Sequence, residues 1–206
     1  MIAFAALLLA VAPAPAKASV AGNYETHQME MTGALELKRD GHFRYAFSYG
    51  ALDEEAAGDW SFDGRAVHLT SNPVPKPAGF ELVRDDPAPK GELYLKLEDP
   101  GFEWGHPLYA LATDMKQTFE IEADEDGRVA LAGKPTVLAI APMIPVFGPT
   151  RDTFKLAADR GHRLLFRFHR NDLGKADFRD ERLDIGPKGL LMKRYDAEIR
   201  FIRVRP

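Results

Sequence analysis

Between Leu35 and Leu69 the chain alternates apolar and polar residues with a period of two and reverses direction at Asp-Gly pairs. Leu35, Leu37, Phe43, Tyr45, Phe47 and Tyr49 hold one phase, while Glu36, Lys38, Arg44 and Ser48 hold the other. Successive side chains of a strand point to opposite faces, so this run collects its apolar groups on a single face. Asp40-Gly41 separates the first two runs, and Asp63-Gly64 separates Trp60 and Phe62 from Val67 and Leu69. Asp-Gly readily takes the positive φ angles of a tight hairpin. Together these features predict an antiparallel meander and leave no room for an amphipathic helix.

Asn72-Pro73-Val74-Pro75-Lys76-Pro77-Ala78-Gly79 ends the meander, because four of its eight residues are Pro or Gly, which weaken or break a ladder. A strand over Phe80–Val83 is expected next. The polar, Pro- and Gly-containing stretch Arg84–Gly91 reads as a linker. Alternation resumes at Leu93, Leu95 and Leu97 and again at Leu164, Phe166 and Phe168, and Asp124-Glu125-Asp126-Gly127 supplies a third turn. Strands are further expected over Leu108–Ala112, Thr118–Ala123, Arg128–Leu131, Thr136–Ala141, Phe154–Ala157, Leu190–Lys193 and Glu198–Val204. Asp172–Arg182 reads as a turn or short helix. The predicted fold is all-β. A meander or half-barrel over residues 19–88 precedes a β-sandwich-like module over residues 89–206.

Ile2–Val11 is apolar but well short of the ~20 residues that span a bilayer. Ala16-Lys17-Ala18 carries small residues at the positions a signal peptidase reads, so residues 1–18 are expected to be a cleaved leader. The expected location is periplasmic or extracellular. The chain contains no cysteine, which removes disulfides, thiolate metal sites and thiol catalysis from consideration. The net charge of −4 gives no whole-protein attraction to nucleic acid. Charge is uneven: Arg160–Pro206 holds 13 Lys/Arg and 7 Asp/Glu, so this tail carries +6 and the remainder −10.

No residue pattern specifies a reaction. The histidines lack metal-site spacing, although His42 and His68 share the polar face of the meander with Glu36 and Asp59. Ser48, Ser61, Thr70 and Ser71 stand in no nucleophile elbow. Asp53-Glu54-Glu55 reads as a solvated turn, and no phosphate-cradling glycine loop occurs. Neither an enzyme nor a cofactor is therefore expected. The candidate ligand-binding residues are Tyr45, Phe47, Tyr49 and Trp60 on the apolar face, with Trp104 in the loop Phe102–His106. In a hollow barrel these rings would line a cavity for a small apolar ligand; in a filled one they are core.

Ala21-Gly22-Asn23-Tyr24 and Gly58-Asp59-Trp60, with the meander between them, resemble a small β module of exported proteobacterial proteins of unknown function. They also resemble lipocalin-like half-barrels. Thr118-Phe119-Glu120-Ile121, the turn Asp124–Val129 and Pro135–Ile140 are similar to carboxypeptidase-regulatory and transthyretin-like sandwiches, with Ala123 where those families usually carry a Thr. The first likeness covers about the first third of the chain and implies no activity; the second implies an accessory or adhesion module and brings no catalytic residue. The expected function is binding or structural association with a protein partner, the alternative being carriage of a small apolar ligand. N-terminal sequencing of protein from the native envelope should read Ser19-Val20-Ala21; cytosolic protein that retains Met1 would refute export.

Overall fold

The computed structural model describes residues 17–98, 108–114 and 116–204. Most of the expected leader, residues 1–16, and Trp104 with its loop lie outside them. Among the described residues the fold is all-β, with one short helical turn, α1 (Lys17–Val20).

Eight strands form a closed antiparallel barrel. Five come from the first third of the chain: β1 (Gly22–Gln28), β2 (Met31–Leu37), β3 (His42–Tyr49), β4 (Leu52–Phe62) and β5 (Ala66–Ser71). The other three are C-terminal: β14 (Arg179–Gly186), β15 (Gly189–Arg194) and β16 (Ala197–Arg203). Each strand pairs with its predecessor around the barrel, and β16 returns to β1 through Tyr24 opposite Arg203 and Glu25 opposite Ile202. The predicted meander is therefore one part of a full barrel. Its apolar phase faces inward: Leu35, Leu37, Phe43, Tyr45, Phe47, Trp60 and Leu69 are all buried, and the later strands add Leu183, Met192, Ile199 and Phe201. Gly58 lies in that inward phase because nothing larger fits; a Cβ there would come within 2.1 Å of the Thr70 carbonyl oxygen on β5.

The remaining strands form a second unit inserted between β5 and β14. The chain divides into Met1–Pro75 with Gly174–Pro206, and Lys76–Leu173. In the insert, β6 (Gly79–Ala88), β13 (Gly161–His169) and β7 (Leu93–Leu97) form one sheet with β13 in the middle. The second sheet holds β8 (Tyr109–Thr113), β9 (Thr118–Glu122), β10 (Ala139–Ile144), β11 (Gly148–Pro149) and β12 (Phe154–Lys155). Both sheets contribute to one core, with Leu93, Leu95, Leu164 and Phe166 from the first and Ala110, Ala112, Ile121 and Ile140 from the second. This is a sandwich arrangement.

Three local expectations change. The chain is not divided into consecutive modules at residues 88 and 89, because β6 runs through the expected linker and pairs with β13 over nine residues. Alternation identifies strands but does not say which distant strand each will join. Asp172–Arg182 begins with the expected turn, up to Gly174, but contributes β14 from Arg179 onward and contains no helix. The insert also contains a parallel pair, β7 with β13, where only antiparallel pairing was expected.

The two ends of the insert meet. Lys76 N donates to Asp172 Oδ2 at 2.9 Å, and Asp172 N donates to the Lys76 carbonyl at 3.0 Å. Short spacing between its ends and a core of its own are what let an inserted domain be removed from a scaffold. Replacing residues 76–173 by a short Gly-Ser linker should leave a barrel that unfolds in one cooperative thermal transition, with its strand circular dichroism retained. A non-cooperative melt of that variant would show that the barrel needs the insert.

Candidate functional site

The barrel interior contains the described candidates Tyr45, Phe47, Tyr49 and Trp60 but does not keep them in one place. Tyr45 and Phe47 stack at 6.0 Å, and Tyr45 meets Phe178 edge-on at 5.0 Å and Phe201 at 6.1 Å. Phe43 stacks on Phe178 at 6.0 Å. Tyr195 stacks on Phe47 at 6.1 Å and approaches Tyr49 at 6.4 Å. These rings occupy the middle of the barrel and the end that carries the β3–β4 and β15–β16 turns. Trp60 sits toward the opposite end, 3% exposed, where its Nε1 donates to the Lys38 carbonyl at 2.8 Å. There Lys17 Nζ lies 4.7 Å from the Trp60 ring centre.

Phe178 reaches the interior on a segment that sequence reading missed. Glu55 N donates to the Gly174 carbonyl and Ala176 N to the Glu55 carbonyl, both at 2.8 Å, so residues 174–176 run beside the start of β4. Ser71 Oγ donates to the Ala176 carbonyl at 2.8 Å and accepts from Phe178 N at 2.9 Å. Its hydroxyl therefore fastens this strap and is not an activated nucleophile.

Beside these rings lies a charged cluster. Arg194 Nη2 contacts Glu54 Oε1 at 3.1 Å, and its Nη1 lies 3.9 Å from Glu181 Oε2. The guanidinium also covers the rings of Tyr195 at 4.8 Å and Phe178 at 5.3 Å, in cation–π range. Glu54 belongs to β4, not to a solvated turn, and shares the inward phase of Ala56 and Trp60. Arg194 continues the inward phase of Leu190 and Met192, and Glu181 that of Leu183. The signal in the sequence was a charge in an otherwise apolar phase, close to a strand end.

Burial sets the electrostatics here. It pushes the Tyr45 phenol far above its ordinary value, assisted by Glu54, and raises Tyr195 in the same way. Both hydroxyls therefore stay protonated. Burial acts against the Arg194 charge, but Glu54 and Tyr195 together outweigh it and the net shift is upward. Burial also raises the Glu181 carboxyl, with Arg194 opposing and Glu54 adding to the rise. The Tyr45 and Tyr195 hydroxyls and Arg194 Nε lack a well-formed hydrogen bond despite their burial. Tyr195 and the next residue, Asp196, form the β15–β16 turn with φ of 57° and 54°, a conformation that glycine and asparagine take more cheaply. This turn folds an aromatic ring back over the barrel end.

The polar-face histidines are engaged separately. His42 pairs with Asp59 at 2.9 Å, while His68 lies between Asp63 at 3.3 Å and Asp180 at 2.9 Å. Among the described residues, no three His, Asp or Glu side chains are grouped to hold a metal ion. Comparison with known proteins gave no match to any family model, curated protein or solved structure.

The raised Glu181 carboxyl yields a pH prediction. The folded protein holds this proton more tightly than the unfolded chain does. Its contribution is complete below the ordinary glutamate value of 4.5 and is lost as pH rises through the folded-state value. The melting temperature of Glu181→Gln should therefore gain on that of the wild type as pH rises from about 4 to neutrality. Parallel pH profiles for the two proteins would show that Glu181 is not strained by burial.

Proposed function

We propose that this chain is an exported, non-catalytic binding protein in which a filled barrel is the rigid scaffold for an inserted β-sandwich. The observation that carries the reading is the barrel interior. Stacked rings of Phe43, Tyr45, Phe47, Phe178 and Tyr195 occupy the place where a carrier of this strand number would hold its ligand. Two of the four hydroxyls weighed as nucleophiles are engaged elsewhere, which supports this reading: Ser71 is bonded to backbone, and Ser48 donates to Asp53 Oδ1 at 2.6 Å. Binding is then assigned to outer surfaces, where a rigid two-sheet module presents loops cheaply. The partner is a protein or a small molecule, not nucleic acid.

A second reading, a small-ligand carrier, draws on the closed eight-stranded barrel and on the unpaired Tyr45 hydroxyl inside it. The readings differ at Trp60. If the interior is solid, Trp60→Ala removes a packed ring and costs about 3–5 kcal/mol, read from denaturant unfolding. Long-chain fatty acids and sterols should then leave the barrel amide resonances unmoved. A saturable sterol or fatty-acid shift in the barrel, lost in a Trp60→Ala protein that still folds, would establish the carrier. Turnover of chromogenic esters, glycosides or phosphates by the purified chain would overturn the non-catalytic reading.

A further inference from the structure

The insert contains a cleft of about 340 Å3 between the loop before β7, the segment leading into β10 and the approach to β13. That volume is at the low end of the ~300–1,000 Å3 range of small-molecule sites. Leu93, Leu131, Val137 and Leu156 provide apolar wall, and Lys90 and Lys134 stand among the lining residues.

Arg160 and His162 also line the cleft, but their polar atoms are turned to each other's support. Asp85 Oδ2 accepts from Arg160 Nη2 at 2.6 Å and lies 2.9 Å from His162 Nδ1. His162 Nε2 lies 2.8 Å from the Ala157 carbonyl, and the ring is buried. Asp85 thus serves both Arg160 and His162, and the Ala157 carbonyl is occupied, so these polar atoms are engaged before anything binds. Glu92, the one acid of the lining, accepts from the Tyr94 hydroxyl at 2.9 Å and faces Arg128 at 3.8 Å. The two lysines are in a different position. Among the described residues no carboxylate pairs with either; Lys134 Nζ reaches only the Glu120 carbonyl, at 3.5 Å. A cleft that combines four apolar lining residues, an engaged Arg160–Asp85–His162 network and two lysines without a carboxylate partner among the described residues is complementary to one kind of molecule.

We propose that this cleft binds a small amphipathic anion, with its apolar body against Leu93, Leu131, Val137 and Leu156 and its carboxylate or phosphate between Lys90 and Lys134. The proposal rests on the binding-protein reading and names a ligand class for the insert.

The test is titration of the isotope-labelled full chain with 3-phenylpropionate and with phenyl phosphate, followed by amide resonances. Controls are 3-phenylpropanol, which keeps the ring and lacks the charge, and acetate, which keeps the charge and lacks the ring. Saturable shifts confined to the cleft are expected for the two aromatic anions, and much weaker ones for both controls. Whichever anion binds more tightly identifies the carboxylate or the phosphate as the preferred headgroup. The double variant Lys90→Gln/Lys134→Gln should weaken binding at least about fivefold, a cautious figure for two solvent-facing charge contacts. Thr136→Trp, which fills the exposed side of the cleft, should abolish binding without changing the melting temperature. Equal binding of 3-phenylpropanol, undiminished affinity in the lysine variant, or no saturable shift with either anion would each overturn the proposal. None of those outcomes touches the binding-protein reading, which falls only to turnover or to a ligand found inside the barrel.

Discussion

The structure depends on the seam where β16 closes against β1. Without it the barrel would be a seven-junction sheet with two exposed edges, and its interior rings would face water. Backbone pairing at this seam is short: two residue pairs, plus Val204 N donating to the Asn23 carbonyl at 2.8 Å. Side chains extend it at both ends. Gln28 Nε2 donates to the Glu198 carbonyl at 3.0 Å, and its Oε1 accepts from Arg200 N at 2.7 Å, so one amide completes the ladder where the strands diverge. At the other end Arg203 donates to the Ser19 and Ala21 carbonyls, and the Tyr24 hydroxyl donates to Val20. These contacts bring α1 to the rim, where Val20 and Ala21 join the core.

Closure explains the polar cluster as well. A barrel of eight strands has just enough interior for side chains, and the last inward positions at each end are only partly shielded. Charges are tolerable there if they are paired, and Arg194 meets Glu54 while its flat face rests on aromatic rings. The opposite end uses a different solution, an indole whose N–H is satisfied by the Lys38 carbonyl. Insertion of the second unit at the β5–β14 connection leaves every other barrel junction undisturbed.

Legibility in the sequence differs from strand to strand. The inward phase of β3, β4 and β5 was legible, because a period of two and Asp-Gly turns are local properties. Tyr45, Phe47 and Trp60 were correctly placed on one face, yet their separation along the barrel axis was invisible. That separation follows from strand register and from the rings of Phe178 and Tyr195, which lie more than a hundred residues away in sequence. Glu54 was hidden among three acids that look like a turn; its inward direction shows only once β4 is known to start at Leu52.

The sequence by itself determined the all-β class, the apolar face and the absence of thiol chemistry, since each follows from residue type and nearest-neighbour spacing. Only the tertiary structure decided that β5 is followed around the barrel by β14, and that the intervening residues fold as a separate sandwich. The physical reason is that a strand's hydrogen-bonding edges carry no sequence label. Which strands pair is settled by the closure of the whole sheet and by how its interior can be filled, and both are properties of residues far apart in the chain.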